Sequence, residues 1–273
     1  MTMPLAELIR FCKLRLDSVA GEEALQQARW LVSAVVGVEP AALGIHSGMQ
    51  ATQEQIEIVG NLLEQRLTGE PLQYILGEWD FYGLPFYVDA RALIPRQDTE
   101  LLVETAIEHI QSREYRSCLD LCTGSGCVGI SIAKNTNIAV TISDISTEAL
   151  ELAKENAELN TVNLTFVESD LFSRLPGRYD LIVCNPPYLT LDEMQNLQKE
   201  VTFEPKLALY GGGDGLDFYR KIAWAYKSHL NPNGALLLEI GSKQAESASS
   251  LFDANTEVKS DLSGNPRVLV VEA

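Results

Sequence analysis

From Thr99 onward the chain alternates short apolar, β-branched runs with longer amphipathic ones, and nothing else in the sequence limits its fold so strongly. Strand-like runs fall at Cys118–Leu121, Ala139–Ser143, Leu164–Glu168, Tyr179–Cys184, Ala235–Ile240, Glu257–Lys259 and Arg267–Val271. Helix-like runs fall at Thr99–Gln111, Val128–Asn135, Thr147–Asn160, Leu216–His229 and Lys243–Phe252. Strands that are apolar along their whole length need cover on both faces, and the intervening helices can supply it. The pattern predicts an α/β, doubly wound, mostly parallel seven-stranded sheet, with its ligand at the carboxyl ends of the strands.

The preceding segment follows a different rhythm. Between Leu5 and Leu67 apolar residues recur at three and four, as in Leu25, Ala28, Leu31, Val32 and Ile56, Val59, Leu62, Leu63, which predicts a small α-helical bundle of four pieces. Gly69-Glu70-Pro71 ends it, and aromatic and β-branched residues around Gly83-Leu84-Pro85 predict a β-hairpin. The expected organisation is a helical domain over 1–70, a β-hairpin linker over 71–90 and the sheet domain over 91–273.

The turn after the first sheet strand reads Cys122-Thr123-Gly124-Ser125-Gly126 and runs straight into an apolar helix. Glycines let backbone turn tightly and approach a ligand that a Cβ would exclude. The turn lacks the lysine of a phosphate-binding loop, so it suits a ligand carrying a sulfonium and an amino acid group better than a triphosphate. Asp144 closes the second strand about 20 residues after the glycines, where a carboxylate can accept both hydroxyl protons of a ribose. Its other possible role is to cap the next helix, which Ser146 or Thr147 could do instead. Asp170 and Leu171 close the third strand, an acceptor and an apolar side chain suited to an adenine ring.

Asn185-Pro186-Pro187-Tyr188 follows the fourth strand. Two prolines fix two φ angles and remove two backbone donors, so the Asn185 side-chain oxygen and the Pro186 carbonyl are presented as stiff acceptors. A planar amide or amino nitrogen is a poor nucleophile because its lone pair is delocalised. Two fixed acceptors on its N–H groups would turn that lobe toward a methyl donor and stabilise the charge that develops. Tyr188 offers a ring to stack on a planar group. Alignment of this kind needs no general base, so His46, His109 and His229 are assigned surface or packing roles.

These segments together resemble the protein-(glutamine-N5) methyltransferases that modify peptide chain release factors. The resemblance spans nearly the whole chain: Gln73-Tyr74-Ile75-Leu76-Gly77 with the Phe81–Val88 hairpin, Ile94-Pro95-Arg96-Gln97-Asp98-Thr99-Glu100, the Asp120–Gly126 loop, Asp144-Ile145-Ser146, Ser169-Asp170-Leu171-Phe172, Asn185–Tyr188, Phe203-Glu204-Pro205 and Gly215-Leu216-Asp217-Phe218-Tyr219. Asn-Pro-Pro-Tyr alone also admits enzymes that methylate DNA adenine or RNA guanine; Pro95–Glu100 and Phe203–Leu209 narrow the choice. The resemblance implies a class I methyltransferase (Rossmann-like) sheet and S-adenosyl-L-methionine as methyl donor. It implies a release factor as partner, methylated on the glutamine of its Gly-Gly-Gln loop, and N-terminal helices that grip it. Carried over by position, Cys122, Thr123, Gly124, Ser125, Gly126, Asp144, Asp170, Leu171 and Asn185 would hold the cofactor, while Asn185, Pro186, Pro187 and Tyr188 would hold the glutamine. Two positions depart from the commonest pattern: Cys122, where the loop usually begins with glycine, and Leu171, where some relatives carry an aromatic.

Charge separates this reading from its rivals. The formal net charge of −17 is spread along the chain, which disfavours stable nucleic-acid binding and hence methylation of an exocyclic base nitrogen in DNA or RNA. A purely binding role would not need Asn185–Tyr188 and Asp144 together. Five cysteines without a paired C-x-x-C spacing suggest reduced thiols and no metal site. No apolar run is long enough to span a bilayer and the N-terminus does not read as a signal, so a cytoplasmic monomer is expected. The Gly211–Gly215 run reads equally well as a lid or as a long loop.

Overall fold

The computed structural model describes residues 2–272 and divides into two compact units, 2–77 with 198–203, and 78–197 with 204–272. The first unit holds α1 (Leu5–Ala20), α2 (Ala24–Val36), α3 (Gln53–Leu67) and α4 (Leu72–Leu76), with a two-residue antiparallel bridge between β1 (Met3–Pro4) and β2 (Gln50–Ala51). Three- and four-residue spacing turns Leu5, Leu8, Cys12 and Leu16 of α1 onto Ala28, Leu31 and Val32 of α2 and Val59 and Leu63 of α3. Thr52 and Gln55 form a reciprocal capping box that starts α3. Arg66 lies inside this unit, 1% exposed, donating from Nε to Gln27 and from Nη1 to the Glu70 carbonyl and pairing with Glu200. That pairing ties the 198–203 segment to the helices.

The second unit opens with a hairpin, β3 (Glu78–Phe81) and β4 (Leu84–Tyr87), turned through Tyr82 and Gly83, both at positive φ. Then come α5 (Glu100–Arg113), β5 (Ser117–Leu121), α6 (Cys127–Asn135), β6 (Ala139–Asp144), α7 (Thr147–Leu159), β7 (Thr165–Glu168), β8 (Tyr179–Cys184), α8 (Leu191–Gln195), α9 (Asp217–His229), β9 (Leu230–Glu239), α10 (Ala245–Ser249), β10 (Thr256–Ser260) and β11 (Pro266–Glu272). The seven-stranded sheet has the order β10-β11-β9-β8-β5-β6-β7. The pairs β5–β6, β6–β7, β5–β8 and β8–β9 are parallel, and β11 runs antiparallel to both its neighbours. A connection of five residues between β10 and β11 is too short for a crossover, so the last strand folds back as a hairpin.

The predicted α/β architecture is therefore present, with differences at element ends. β9 begins at Leu230 rather than Ala235 and carries Pro232 and Gly234 before its apolar run. α10 is shorter than the expected Lys243–Phe252 helix, because Gln244 turns its side chain back to the Gly241 amide and the serine-rich end does not extend the helix. Leu236 and Leu238 of β9, Ile182 and Cys184 of β8, and Tyr219, Ile222 and Tyr226 of α9 share one buried cluster. Among the described residues no helix is long and apolar enough to cross a membrane, and no group of three His, Cys, Asp or Glu side chains could hold a metal.

Candidate active site at the sheet switch point

The chain leaves β5 outward through β6 and β7, then returns to β8 on the other side of β5. Loops diverge at such a reversal and open a crevice at the strand ends. A cavity of about 280 Å3 lies there, walled by the ends of β5, β6, β7 and β8 and by the Arg91–Arg96 segment. Cys122, Thr123, Gly124, Ser125, Asp144, Asp170, Leu171, Asn185 and Pro187 are in its wall. Gly126, Pro186 and Tyr188, singled out from the sequence, are not. Gly126 acts one layer back, at φ +82, where a Cβ would lie 2.9 Å from Ile130 Cδ1 and 3.0 Å from Ala153 Cβ.

Asp120, 1% exposed, fixes the glycine turn by accepting from the Thr123 hydroxyl at 2.5 Å and the Gly129 amide at 2.9 Å. Burial pushes its carboxyl up to about 7, and those two donors pull the other way. Asp144 accepts from the Gly124 amide through Oδ2 and from the Ser146 amide through Oδ1, each at 2.9 Å. Each oxygen keeps a second lone pair for a ligand hydroxyl. Ser146, not Asp144, caps α7, its hydroxyl accepting from Ala149 N. Burial raises the Asp144 carboxyl above its ordinary range, opposed by the backbone amides of Ser146, Gly124 and Ile145.

Both positions that depart from the commonest family pattern have left-handed backbone, Cys122 at φ +56 and Leu171 at φ +46. A residue with a Cβ is strained there by about 1–3 kcal/mol, which gives a physical reason for glycine at the first of them.

Asn185 follows β8 in the cavity wall, and its Nδ2 donates to the Thr99 hydroxyl at 3.3 Å. Behind it lies Glu239, 2% exposed, at the end of β9. Burial pushes the Glu239 carboxyl up to about 7, while the polar groups of Thr99 and Asn185 against it lower it. Tyr188 is outside the cavity wall: its ring lies near Gly241, where an added Cβ would be 3.5 Å from Cδ2, and its carbonyl accepts from Gln244 Nε2 at 3.1 Å. Burial raises its phenol to about 12.

The glycine run is packed against this corner. Gly211 N donates to Leu189 O, Gly215 O accepts from Gln244 Nε2, and Gly211, Gly212 and Gly215 have no room for a Cβ. Glu204 accepts from Ile94 N at 3.0 Å and pairs with Arg96, joining Glu204-Pro205 to the Ile94-Pro95-Arg96 part of the cavity wall. None of the histidines lines the cavity; His229 stacks on Phe172, and His109 Nδ1 contacts the Thr105 carbonyl. Thr99, Phe218 and Lys221 of the wall, and Glu239 behind it, were not among the sequence candidates. For Glu239 a signal existed: one acid ending the apolar run Ala235-Leu236-Leu237-Leu238.

This wall fits the cofactor expected from the sequence. It joins acceptors at Asp144, amides of a glycine turn and apolar faces at Leu171 and Ile145, while two of its cations, Arg91 and Arg96, are paired with Asp89 and Glu155 and with Glu204.

The family described as Methyltransferase small domain matches residues 97–216, and PrmC N-terminal domain matches residues 7–77. Release factor glutamine methyltransferase of Geobacter sulfurreducens is 40% identical over 234 residues, covering 85% of this chain and 82% of its own. The enzymes of the same name from Cereibacter sphaeroides and Deinococcus radiodurans are 38% and 36% identical, with 98% and 97% of both chains covered. Among solved structures, the hMettl16 catalytic domain in complex with MAT2A 3'UTR hairpin 6 is similar with a TM-score of 0.55 at 14% identity, over 82% of this chain and 84% of that one. A methyltransferase from Pyrococcus furiosus is similar with a TM-score of 0.50 at 19% identity, over 70% and 90%. At such identities these structures speak for the fold, a class I methyltransferase sheet. With relatives this similar along nearly their full length, the chain belongs to the release factor glutamine methyltransferase family.

Proposed function

We propose that this protein transfers a methyl group from S-adenosyl-L-methionine to the side-chain amide nitrogen of the glutamine in the Gly-Gly-Gln motif of a peptide chain release factor. The observation that carries the reading is Asn185, set by a diproline corner in the wall of a cavity that the glycine turn and Asp144 also line. When bound, the cofactor supplies an electrophilic methyl group on a sulfonium. Asp144 and the Gly124 turn would hold the ribose and amino acid parts, and Asp170 and Leu171 the adenine. Asn185 Oδ1 and the carbonyl of Pro186, which is outside the wall but between its residues Asn185 and Pro187, would accept the two N–H groups of the glutamine amide, turning its out-of-plane lobe toward the methyl and stabilising the charge it gains. Tyr188, with its ring against Gly241, serves the corner by holding its shape more than by touching the cavity. The helices of 1–70 would grip the release factor. Five free cysteines suit a reducing cytoplasm.

The test is transfer of labelled methyl to a release factor, to the same factor with its loop glutamine changed to alanine, and to tRNA and DNA. Label on the intact factor alone is expected; label on nucleic acid alone would replace this reading with base methylation. Asn185→Ala should bind S-adenosylhomocysteine nearly as well as the parent while turnover falls by roughly a hundredfold or more, the loss typical of removing an oriented dipole.

A further inference from the structure

An asparagine carboxamide is nearly symmetric in shape, and the use made of Asn185 requires that its oxygen, not its NH2, face the cavity. Something on the other side must decide. That side holds two oxygen groups, the Thr99 hydroxyl, which accepts from Asn185 Nδ2 at 3.3 Å, and the Glu239 carboxyl. Thr99 and Glu239 are each 2% exposed, so no solvent competes for the amide there. Glu239 Oε2 meets no donor, and Arg267, the cation that acts on it, is engaged with Asp98 and Asp261. An acid buried this way without a salt bridge is costly to keep, and a neutral side chain would fill the end of β9 more cheaply. Its backbone is also held, since Tyr219 donates its hydroxyl to the Glu239 carbonyl at 2.9 Å, so the carboxyl is aimed from a fixed base.

We propose that Glu239, together with Thr99, is a positioning residue that fixes the facing of the Asn185 carboxamide, with NH2 turned inward and Oδ1 presented to the cavity. The reversed amide would set its carbonyl against the Glu239 carboxyl, so that oxygen would oppose oxygen once that carboxyl is ionised. Neither residue need touch the reacting atoms; Glu239 is not in the cavity wall. The inference rests on the role proposed above for Asn185 and adds what enforces it.

The experiment uses the full-length protein and a release factor substrate, comparing Glu239→Leu, Glu239→Gln, Thr99→Val, Asn185→Ala and the double variant Glu239→Leu/Asn185→Ala. Glu239→Leu is expected to lower kcat at least about tenfold while S-adenosylhomocysteine affinity and the KM for release factor stay within about twofold. Glu239→Gln keeps a carbonyl for the Asn185 NH2 and an NH2 for the Thr99 oxygen, so kcat should return to within about threefold of the parent. In the Asn185→Ala background, Glu239→Leu should lower kcat no further, because its whole effect passes through that amide. Should Glu239→Leu fail to fold, Thr99→Val is expected to lower kcat by more than it lowers S-adenosylhomocysteine affinity, which Thr99 also affects as a residue of the cavity wall. Parental kcat in Glu239→Leu or Thr99→Val beside an inactive Asn185→Ala overturns this inference and leaves the proposed function standing; so does an equal further loss in the double variant. Parental turnover in Asn185→Ala overturns the role of Asn185 itself.

Discussion

Replacing Glu204 by glutamine should loosen one wall of the candidate site by an amount the structure lets us work out. The carboxylate is 4% exposed and does two jobs, accepting from the Ile94 amide at 3.0 Å and pairing with Arg96. Glutamine has the same volume, so no cavity opens, but it has one acceptor where there were two. If that acceptor stays with the buried Ile94 amide, a charge-assisted bond becomes a neutral one, at a cost of about 1 kcal/mol. The Arg96 side chain is 39% exposed and can turn to water, so the lost pairing is discounted for screening to at most about 1 kcal/mol. Together these give about 2 kcal/mol, read as a lower urea midpoint at unchanged slope. Because Ile94, Pro95 and Arg96 line the cavity, S-adenosylhomocysteine affinity measured by calorimetry should fall between about three- and thirtyfold, the upper figure being the full 2 kcal/mol expressed at the site. A midpoint and an affinity both equal to the parent's would refute the idea that Glu204 braces this wall.

Three other outcomes are expected. Gly211→Ala would put a Cβ 2.6 Å from Tyr188 Cα and 2.7 Å from the Pro187 carbonyl, so it should cost about 1–3 kcal/mol of stability and slow turnover, whereas Gly213→Ala, with nothing within 4 Å, should do neither; thermal melts and turnover of the pair check this. The Glu239 carboxyl ionises near 4.5 in an unfolded chain and near 7 when folded, so its contribution is full below the lower value and is lost as pH rises through the upper one. Relative to Glu239→Gln, the parent should therefore lose on the order of 3 kcal/mol between about pH 4 and about pH 8, and urea titrations with a constant gap between the two proteins would contradict it. Arg66→Met leaves Gln27 and the Glu70 carbonyl without their donor and Glu200 without its cation, which should lower the stability of the helical unit by about 3 kcal/mol in chemical denaturation.

How much of this was legible beforehand depends on how local each cause is. The strands of the sheet announce themselves because a strand buried on both faces must be apolar throughout, as Leu181-Ile182-Val183-Cys184 is. Cys122–Ser125, Asp144 and Asn185 could be named from the sequence because each stands at the end of such a run, and strand ends are where the cavity lies. Tyr188 could not be placed: which way a ring leaves a diproline corner depends on Gly241 and Gln244, more than 50 residues away. Thr99 and Glu239 were missed for the same reason, since their meeting with Asn185 joins the start of α5, the end of β8 and the end of β9. The place of β11 between β9 and β10 was equally hidden, because apolar alternation gives a strand but not its neighbour.

That last strand bears on how the protein comes together. β10 has β11 as its sole partner in the sheet, and β11 reaches Glu239 through the Val268 register while Val268–Val271 are almost fully buried. During synthesis β10 must therefore wait unpaired, and the flank of β9 must stay open, until residues 266–272 leave the ribosome and slip between them. Order of birth and order of docking differ at this edge, and the nascent sheet is most exposed to stray pairing in that interval.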